Sequence, residues 1–501
     1  MKEDWIEVEL FEVCNGTKGK KPSTLESKSS EKVNVPYINI KAFEKGIIDE
    51  YTDGEKCNLC NEGDLLMVWD GARAGLTGKA KKGAVGSTLM KFQEIKGIEK
   101  QYLYYFLLSL FTKINTNPRG VGIPHVEPRI LWYSKLLIVS SPIQRAIVAK
   151  IEALFSDLDN GIANFKKAQE QLKIYRQAVL KKAFEGELTK EWREKQNNLP
   201  TAEELLKQIK EERQNHYNQQ IEDWKKAVKE WEKKGSAGKK PSKPTQLKEL
   251  SLLKEKELKE LPLIPDSWFY SEIGNICDCI VPNRDKPKSF SGDIKWITTP
   301  DLDEKLIKLD YSKIKIGLTK NEAEKYNARV IPINSVIMTC VGTLGLSTIV
   351  EKEIVINQQL HAFLPENYYL PKSLAYYIRL NKNFYEKIST STTIQYVNKD
   401  KCNSLPFPIC SVAEQTQIVK EIESRLSVCD KVEQSINESI EKAEALRQSI
   451  LKKAFEGKLL SKVEIELCKK ETDYEPASEL LKKIKAEKLA KEQEKKKPRK
   501  K

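Results

Sequence analysis

Histidine is scarce in this 501-residue chain, and its three copies, His125, His216 and His361, fall in three separate regions. That scatter argues against a His-based catalytic triad. No run of about 18 apolar residues occurs, so no membrane-spanning helix is expected. The opening MKEDWIEVEL is acidic and amphipathic and does not read as a signal peptide. Ten cysteines lack the spacing of a disulfide framework and read as free thiols of a reducing cytosol. Cys57-x-x-Cys60 has no second pair at zinc spacing, and neither do Cys277 and Cys279, so no metal site is expected. GLTGKA at 75–80 resembles a phosphate-binding loop, but Arg73 stands where its first glycine belongs and Ala80 where Ser or Thr belongs. There is no Asn-Pro-Pro-Tyr-like amine-methylation motif, no methyl-donor glycine motif and no nuclease carboxylate cluster. Asp301, Asp303 and Glu304 read as exposed charge. A non-catalytic protein is therefore expected, with no cofactor on this chain.

What is present is bulk and charge. A hydrophobic fraction of 40% allows real cores, and a charged fraction of 32% points to long solvated helices beside them. The net charge of +14 suggests a polyanionic partner. Much of it sits outside the globular parts: residues 225–260 carry +6 and 482–501 carry +8, against +2 for 1–140 and +2 for 265–410. Within the first part, 1–69 sums to −5 and 70–140 to +7, which marks the second half as the one to face phosphates.

The chain is written twice. RQAVLKKAFEGELT at 176–189 recurs as RQSILKKAFEGKLL at 447–460, an offset of 271. The same offset aligns Gln144 with Gln415, Ile123 with Ile394, Val126 with Val397 and Met67 with Met338. AEELLKQIK at 202–210 returns as ASELLKKIK at 477–485, and Trp5 finds a looser partner in Trp268. A repeat this long is a duplicated module, not a solenoid.

Each copy ends in a long helix. Ser141 with Gln144, and Ser411 with Glu414, read as capping boxes, and Gly186 and Gly457 as C-terminal stops. Between them apolar residues step by three and four: Ile147, Ile151, Leu154, Leu158, Phe165, Leu172, Tyr175 and Val179, then Ile418, Ile422, Val432, Ile436, Ile440, Ala443 and Ile450. That is a coiled-coil seam, on helices roughly 65 Å long at 1.5 Å per residue. Asp159-Asn160-Gly161 marks a weak point where the first helix is expected to kink. An antiparallel pair with pseudo-two-fold symmetry follows. The division is 1–140 and 265–410 for the globular modules and 141–188 and 411–458 for the helices. Residues 189–264 form a charged helical insert and linker, and 459–501 a C-terminal helix whose basic end reads as frayed.

The globular modules read as mixed α and β. Apolar runs at 64–69 and 335–339 suggest buried strands, each followed by a Gly-rich turn, GARAGLTG (71–78) and VGTLGLST (341–348). A return strand, a helix and a polar loop follow in each copy, the loops being NPRGVGIPHV (117–126) and STSTTIQYV (389–397). These turns and loops carry the residue types that read nucleic acid. Arg73, Lys79, Lys81, Lys82 and Arg119 suit phosphates or guanine edges. Gln358, Gln359, Gln395 and His361 suit base edges, and Thr343, Thr392 and Thr393 complete the set. Gln358 is alternatively a buried residue satisfying backbone groups.

The order of variable module, long helix ending in LKKAFEG, second variable module and second such helix resembles the specificity subunits of type I restriction-modification enzymes. The resemblance covers essentially the whole chain, including the P-x-x-W lead-in from Pro265 to Trp268. It implies two α+β target recognition domains, each reading half of a bipartite sequence in double-stranded DNA, spaced by the antiparallel helices. It implies two modification subunits, which use S-adenosylmethionine to methylate adenine and dock on the helices. It further implies restriction/translocase subunits that use ATP and Mg, and a cytoplasmic setting. A coiled-coil adaptor that binds only proteins is the alternative.

Overall fold

The strand Leu65–Val68 shows how the first module is built. All four side chains are buried, and alternation sends them to opposite faces. Leu65 and Met67 join a core with Leu103, Phe106 and Leu107, while Leu66 and Val68 join another with Ile38 and Val85. A strand covered on both faces reads as an unbroken apolar run. The computed structural model describes residues 5–93, 95–120, 122–236, 240–244, 249–277, 279–282, 286–390 and 394–496. These fall into two compact units, 1–167 with 435–501, and 168–434.

In the first unit the strands are β1 (Ile6–Glu9), β2 (Gly16–Lys18), β3 (Val35–Ile38), β4 (Tyr51–Thr52), β5 (Leu59–Cys60), β6 (Leu65–Val68), β7 (Thr77–Lys79), β8 (Gly83–Val85), β9 (Leu89–Phe92) and β10 (Lys135–Ile138). β1 pairs with β10, and the two four-stranded sheets run β2-β9-β6-β7 and β4-β3-β8-β5. All pairs are antiparallel except β3 with β8.

The second unit holds β11 (Phe269–Glu272), β12 (Cys279–Ile280), β13 (Ile294–Ile297), β14 (Gly317–Leu318), β15 (Val330–Ile331), β16 (Val336–Thr339), β17 (Ser347–Ile349), β18 (Ile354–Ile356), β19 (Leu360–Phe363) and β20 (Pro406–Ile409). Its sheets repeat the same scheme: β11-β20, β12-β19-β16-β17 and β14-β13-β18-β15. Helices Lys100–Ser109 and Pro371–Leu380 follow the last strands of the central sheets.

The two long helices span Ser141–Phe184 and Val412–Phe455, and each contributes one part to either unit. In the first unit Ile147 and Ile151 pack with Ile450, Leu451 and Ala454, and Leu154 and Leu158 border that core. Arg447 pairs with Asp159 and lies over the Phe155 ring at 5.1 Å. Ile436 is buried and Ile440 half-buried. In the second unit Ile418 and Ile422 pack with Leu180, Ala183 and Phe184, Leu172 is half-buried, and Arg176 meets Asp430 at 2.7 Å. The helix segments are antiparallel within each unit. Two seam expectations fail: Tyr175 and Val432 are exposed, while Ile162 and Cys429 are buried in their stead. The first helix runs through Gly161 as one element.

The capping boxes are also revised. Ser411 Oγ does accept from the Glu414 amide at 3.2 Å, but the Glu414 carboxylate turns inward to Thr189, Arg193 and Trp268. Gln144 likewise serves packing. Its amide donates to the carbonyls of Gly97 and Val139 and accepts from the Glu99 N–H at 2.8 Å. Gln415 makes the matching set with Tyr368, Cys410 and Leu370.

Gly186 and Gly457 adopt φ of +76° and +74° at the helix ends. A Cβ at Gly457 would stand 2.8 Å from the Trp5 ring, and one at Gly186 2.5 Å from Pro265. Only glycine fits both the left-handed backbone and the close approach. The short repeats after these stops then insert into a core. Leu205 and Ile209 of helix Ala202–Lys233 enter the core of the second unit, and Leu480 and Ile484 of helix Ala477–Lys496 that of the first. The C-terminal helix runs through Lys496, and the last part of the basic end, 497–501, lies outside the described residues. Among the described residues no helix is long and apolar enough to cross a membrane.

Candidate nucleic-acid interface

The central sheet of each module delivers two loops to one edge. In the first unit β6 leaves the core at Val68 and turns through Gly71 and Gly75. Gly75 has φ +92°, and a Cβ there would lie 2.8 Å from Ile114. Asn115 Nδ2 pins the turn by donating to the carbonyls of Ala72 and Ala74 at 3.0 and 3.1 Å. The polar loop is stitched to it: the Gly71 N–H donates to Pro124 O at 2.8 Å and the Val126 N–H to Trp69 O at 2.9 Å. Asp70 adds a side-chain tie, with its carboxylate 2.7 Å from both His125 Nδ1 and Lys18 Nζ. This frame presents Arg73 and Arg119, both exposed. Arg73 is held to Glu44 at 3.1 Å but remains 57% exposed.

The second unit repeats the frame with different chemistry. The Gly342 N–H donates to Gln395 O and the Val397 N–H to Cys340 O, both at 2.9 Å. The Cys340 N–H donates to Gln359 O at 2.9 Å, which brings in the start of β19. Thr343, Gln358, Gln359 and Gln395 are exposed there. Gln358 is therefore not the buried residue its alternative reading allowed. The Gln359 side-chain oxygen accepts from Thr299 Oγ1 at 3.3 Å and Asn357 Nδ2 at 3.2 Å, which fixes its orientation. Thr392 and Thr393 lie outside the described residues.

Four expected residues do not join these clusters. His361 lies on β19 opposite Met338, is 1% exposed, and places Nδ1 3.1 Å from Cys402 Sγ. Burial, with Lys399 nearby, pushes its pKa down to about 4. It is a neutral core residue and not a base reader. Lys79, Lys81 and Lys82 sit at the other end of the hairpin, since Lys79 pairs with Leu65 at the start of β6. Lys79 lies over the Tyr104 ring at 5.8 Å, and Lys81 Nζ donates to Gly46 O at 3.0 Å.

Residues that sequence reasoning passed over take their place. Lys18, Lys20 and Lys21 are exposed at the end of β2, and the Gly19 N–H, bonded to Leu89 O at 2.8 Å, holds that segment at the interface edge. The signal was the KGKK run itself, hidden inside a half-module whose summed charge is acidic. The first interface thus offers cations, suited to phosphates and guanine edges. The second offers amides and hydroxyls, suited to adenine and to neutral contacts.

Comparison with known proteins fits this geometry. Residues 2–167 and 265–442 match the family described as Type I restriction modification DNA specificity domain. The chain is 24% identical to the type I restriction enzyme EcoBI specificity subunit of Escherichia coli, over 97% of this chain and 93% of that one. It is 25% identical to the EcoDI specificity subunit of the same organism, over 78% of each. A solved chain from a study of complex assembly and conformational transition of the type I R-M system shares the fold, with a TM-score of 0.58 at 17% identity. The alignment covers 91% of this chain and 99% of that one. With two family matches laid over two modules of identical strand order, the chain belongs to the type I restriction-modification DNA specificity family and is a specificity subunit of such a system.

Proposed function

We propose that each module reads one half of a bipartite DNA target through the stitched edge of its central sheet, and that the chain itself catalyses nothing. One observation carries this reading. The same turn and loop are tied by the same two backbone hydrogen bonds in both modules, yet they present different side chains. A rigid frame with exchangeable contacts is what sequence reading needs, because base-edge hydrogen bonds discriminate only when donors and acceptors are held in place. The contrast between Arg73 and Arg119 in one module and Thr343, Gln359 and Gln395 in the other makes the two half-sites different sequences.

The chemistry then belongs to partners: two modification subunits that methylate adenine with S-adenosylmethionine, and restriction/translocase subunits that use ATP and Mg, all acting in the cytoplasm. The long helices carry exposed apolar side chains for such docking in the second unit, Ile174 and Tyr175 on one helix and Val428 and Val432 on the other. The test is a genome-wide map of methyladenine in the source cell with and without this gene. Loss of one asymmetric bipartite motif on deletion is the expected result. No lost motif, together with no sequence preference in DNA binding by the chain and its partners, would overturn the reading in favour of a protein-only adaptor.

A further inference from the structure

Each polar loop carries one isoleucine whose side chain is exposed. Ile123 is 63% exposed and Ile394 is 61% exposed. They stand in register in the repeat, although the loops around them, NPRGVGIPHV and STSTTIQYV, otherwise share little beyond the following valine. That valine is the anchor. Val126 and Val397 are buried, and their N–H groups are bonded to Trp69 O and Cys340 O. The residue directly after each isoleucine, Pro124 or Gln395, accepts the stitch from Gly71 or Gly342. Each isoleucine is thus mounted one residue from a backbone hydrogen bond, on the loop tied to the turn that carries Arg73 or Thr343.

A large aliphatic side chain held in water gains free energy when a bound partner covers it. The partner at this edge is the duplex. Since the surrounding contacts differ between modules while the isoleucine does not, its task is common to both half-sites and independent of their sequence. We propose that Ile123 and Ile394 are apolar wedges, each pressing between stacked base pairs of its own half-site and locally unstacking the duplex. Aliphatic side chains perform this role in DNA-bending proteins. The inference rests on the reading of the two modules as DNA readers.

The test uses the full chain assembled with its modification partners and duplexes bearing the mapped target, with 2-aminopurine placed in turn at positions in each half-site. Binding should raise the fluorescence at one step in each half-site. Ile123→Ala should abolish the rise in one half-site and Ile394→Ala in the other, each weakening binding on the order of ten- to fifty-fold through the lost aliphatic carbons. Ile→Leu at either position should restore both. Alanine variants that bind the target with unchanged affinity and unchanged fluorescence would overturn the wedge and leave the DNA-reading function standing. Failure of the unmodified complex to prefer its target would overturn the module reading, and the wedge with it.

Discussion

Replacing Glu414 by alanine removes a carboxylate from three donors at once. Its oxygens accept from Thr189 Oγ1 at 2.8 Å, Arg193 Nη1 at 2.9 Å and Trp268 Nε1 at 2.8 Å, all within the second unit. The Glu414 side chain is 2% exposed and that of Arg193 17%. Breaking a buried ion pair from one side costs about 3–5 kcal/mol, because the remaining charge stays desolvated. Arg193 keeps the Gly186 carbonyl, at 3.1 and 2.8 Å, and the Trp268 ring at 5.7 Å. The loss should therefore fall near the lower end, about 3 kcal/mol. The first unit supplies a control of its own: the repeat partner of Glu414 is Ile143, buried in an apolar core. Glu414→Ile combined with Arg193→Met removes both charges and should recover the part of the loss due to the stranded charge, while Thr189 and Trp268 still lose their acceptor. Hydrogen exchange of the β11 and β20 amides reports the second unit, and that of β1 and β10 the first. A loss below about 1 kcal/mol for alanine, or equal loss in both strand pairs, would refute the reasoning.

Burial of neutral His361 makes the second unit acid-sensitive. Its pKa is lowered to about 4 from 6.5, so the unfolded chain binds more protons between those values and stability falls as pH drops through that window. The loss is about 2–3 kcal/mol, and His361→Phe should flatten it in denaturant titrations run from pH 7 to pH 4. Gly457→Ala should cost about 1–2 kcal/mol in backbone strain alone, with more from the Trp5 contact, whereas Gly161→Ala, helical and facing open space, should stabilise by about 0.5–1 kcal/mol. Equal effects in thermal unfolding would discount the glycine argument. Arg73→Ala should weaken target binding by about 1–3 kcal/mol and leave unfolding unchanged, and a titration showing no change would reduce Arg73 to a partner of Glu44.

The helices and the duplication were legible because their signals are local. Glycine stops, stepped apolar residues and LKKAFEG written twice need no tertiary context. The strands Leu65–Val68 and Val336–Thr339 were legible as apolar runs. The short strands between β2 and β5 were not, because two to four residues carry too little pattern and their pairing is non-local. His361 misled because a polar residue beside Gln358 and Gln359 reads as part of the same loop, whereas β19 carries it into a core covered on both faces. Lys79 and its neighbours misled for a related reason: closeness in sequence to Arg73 became separation once the hairpin register ran them to its far end.

The division of the units has a consequence for biosynthesis. The second unit is one continuous stretch, 168–434, whereas the first is assembled from 1–167 and 435–501. The nascent first module therefore emerges without Ile450, Leu451, Leu480 and Ile484, which complete its core. It must wait through the making of the whole second unit, roughly 15–50 s at 5–20 residues per second. A ribosome that stops before the last helix releases one finished unit and one with an open apolar face, so a truncated product is a substrate for chaperones and proteases before it can compete for the partners of the intact chain.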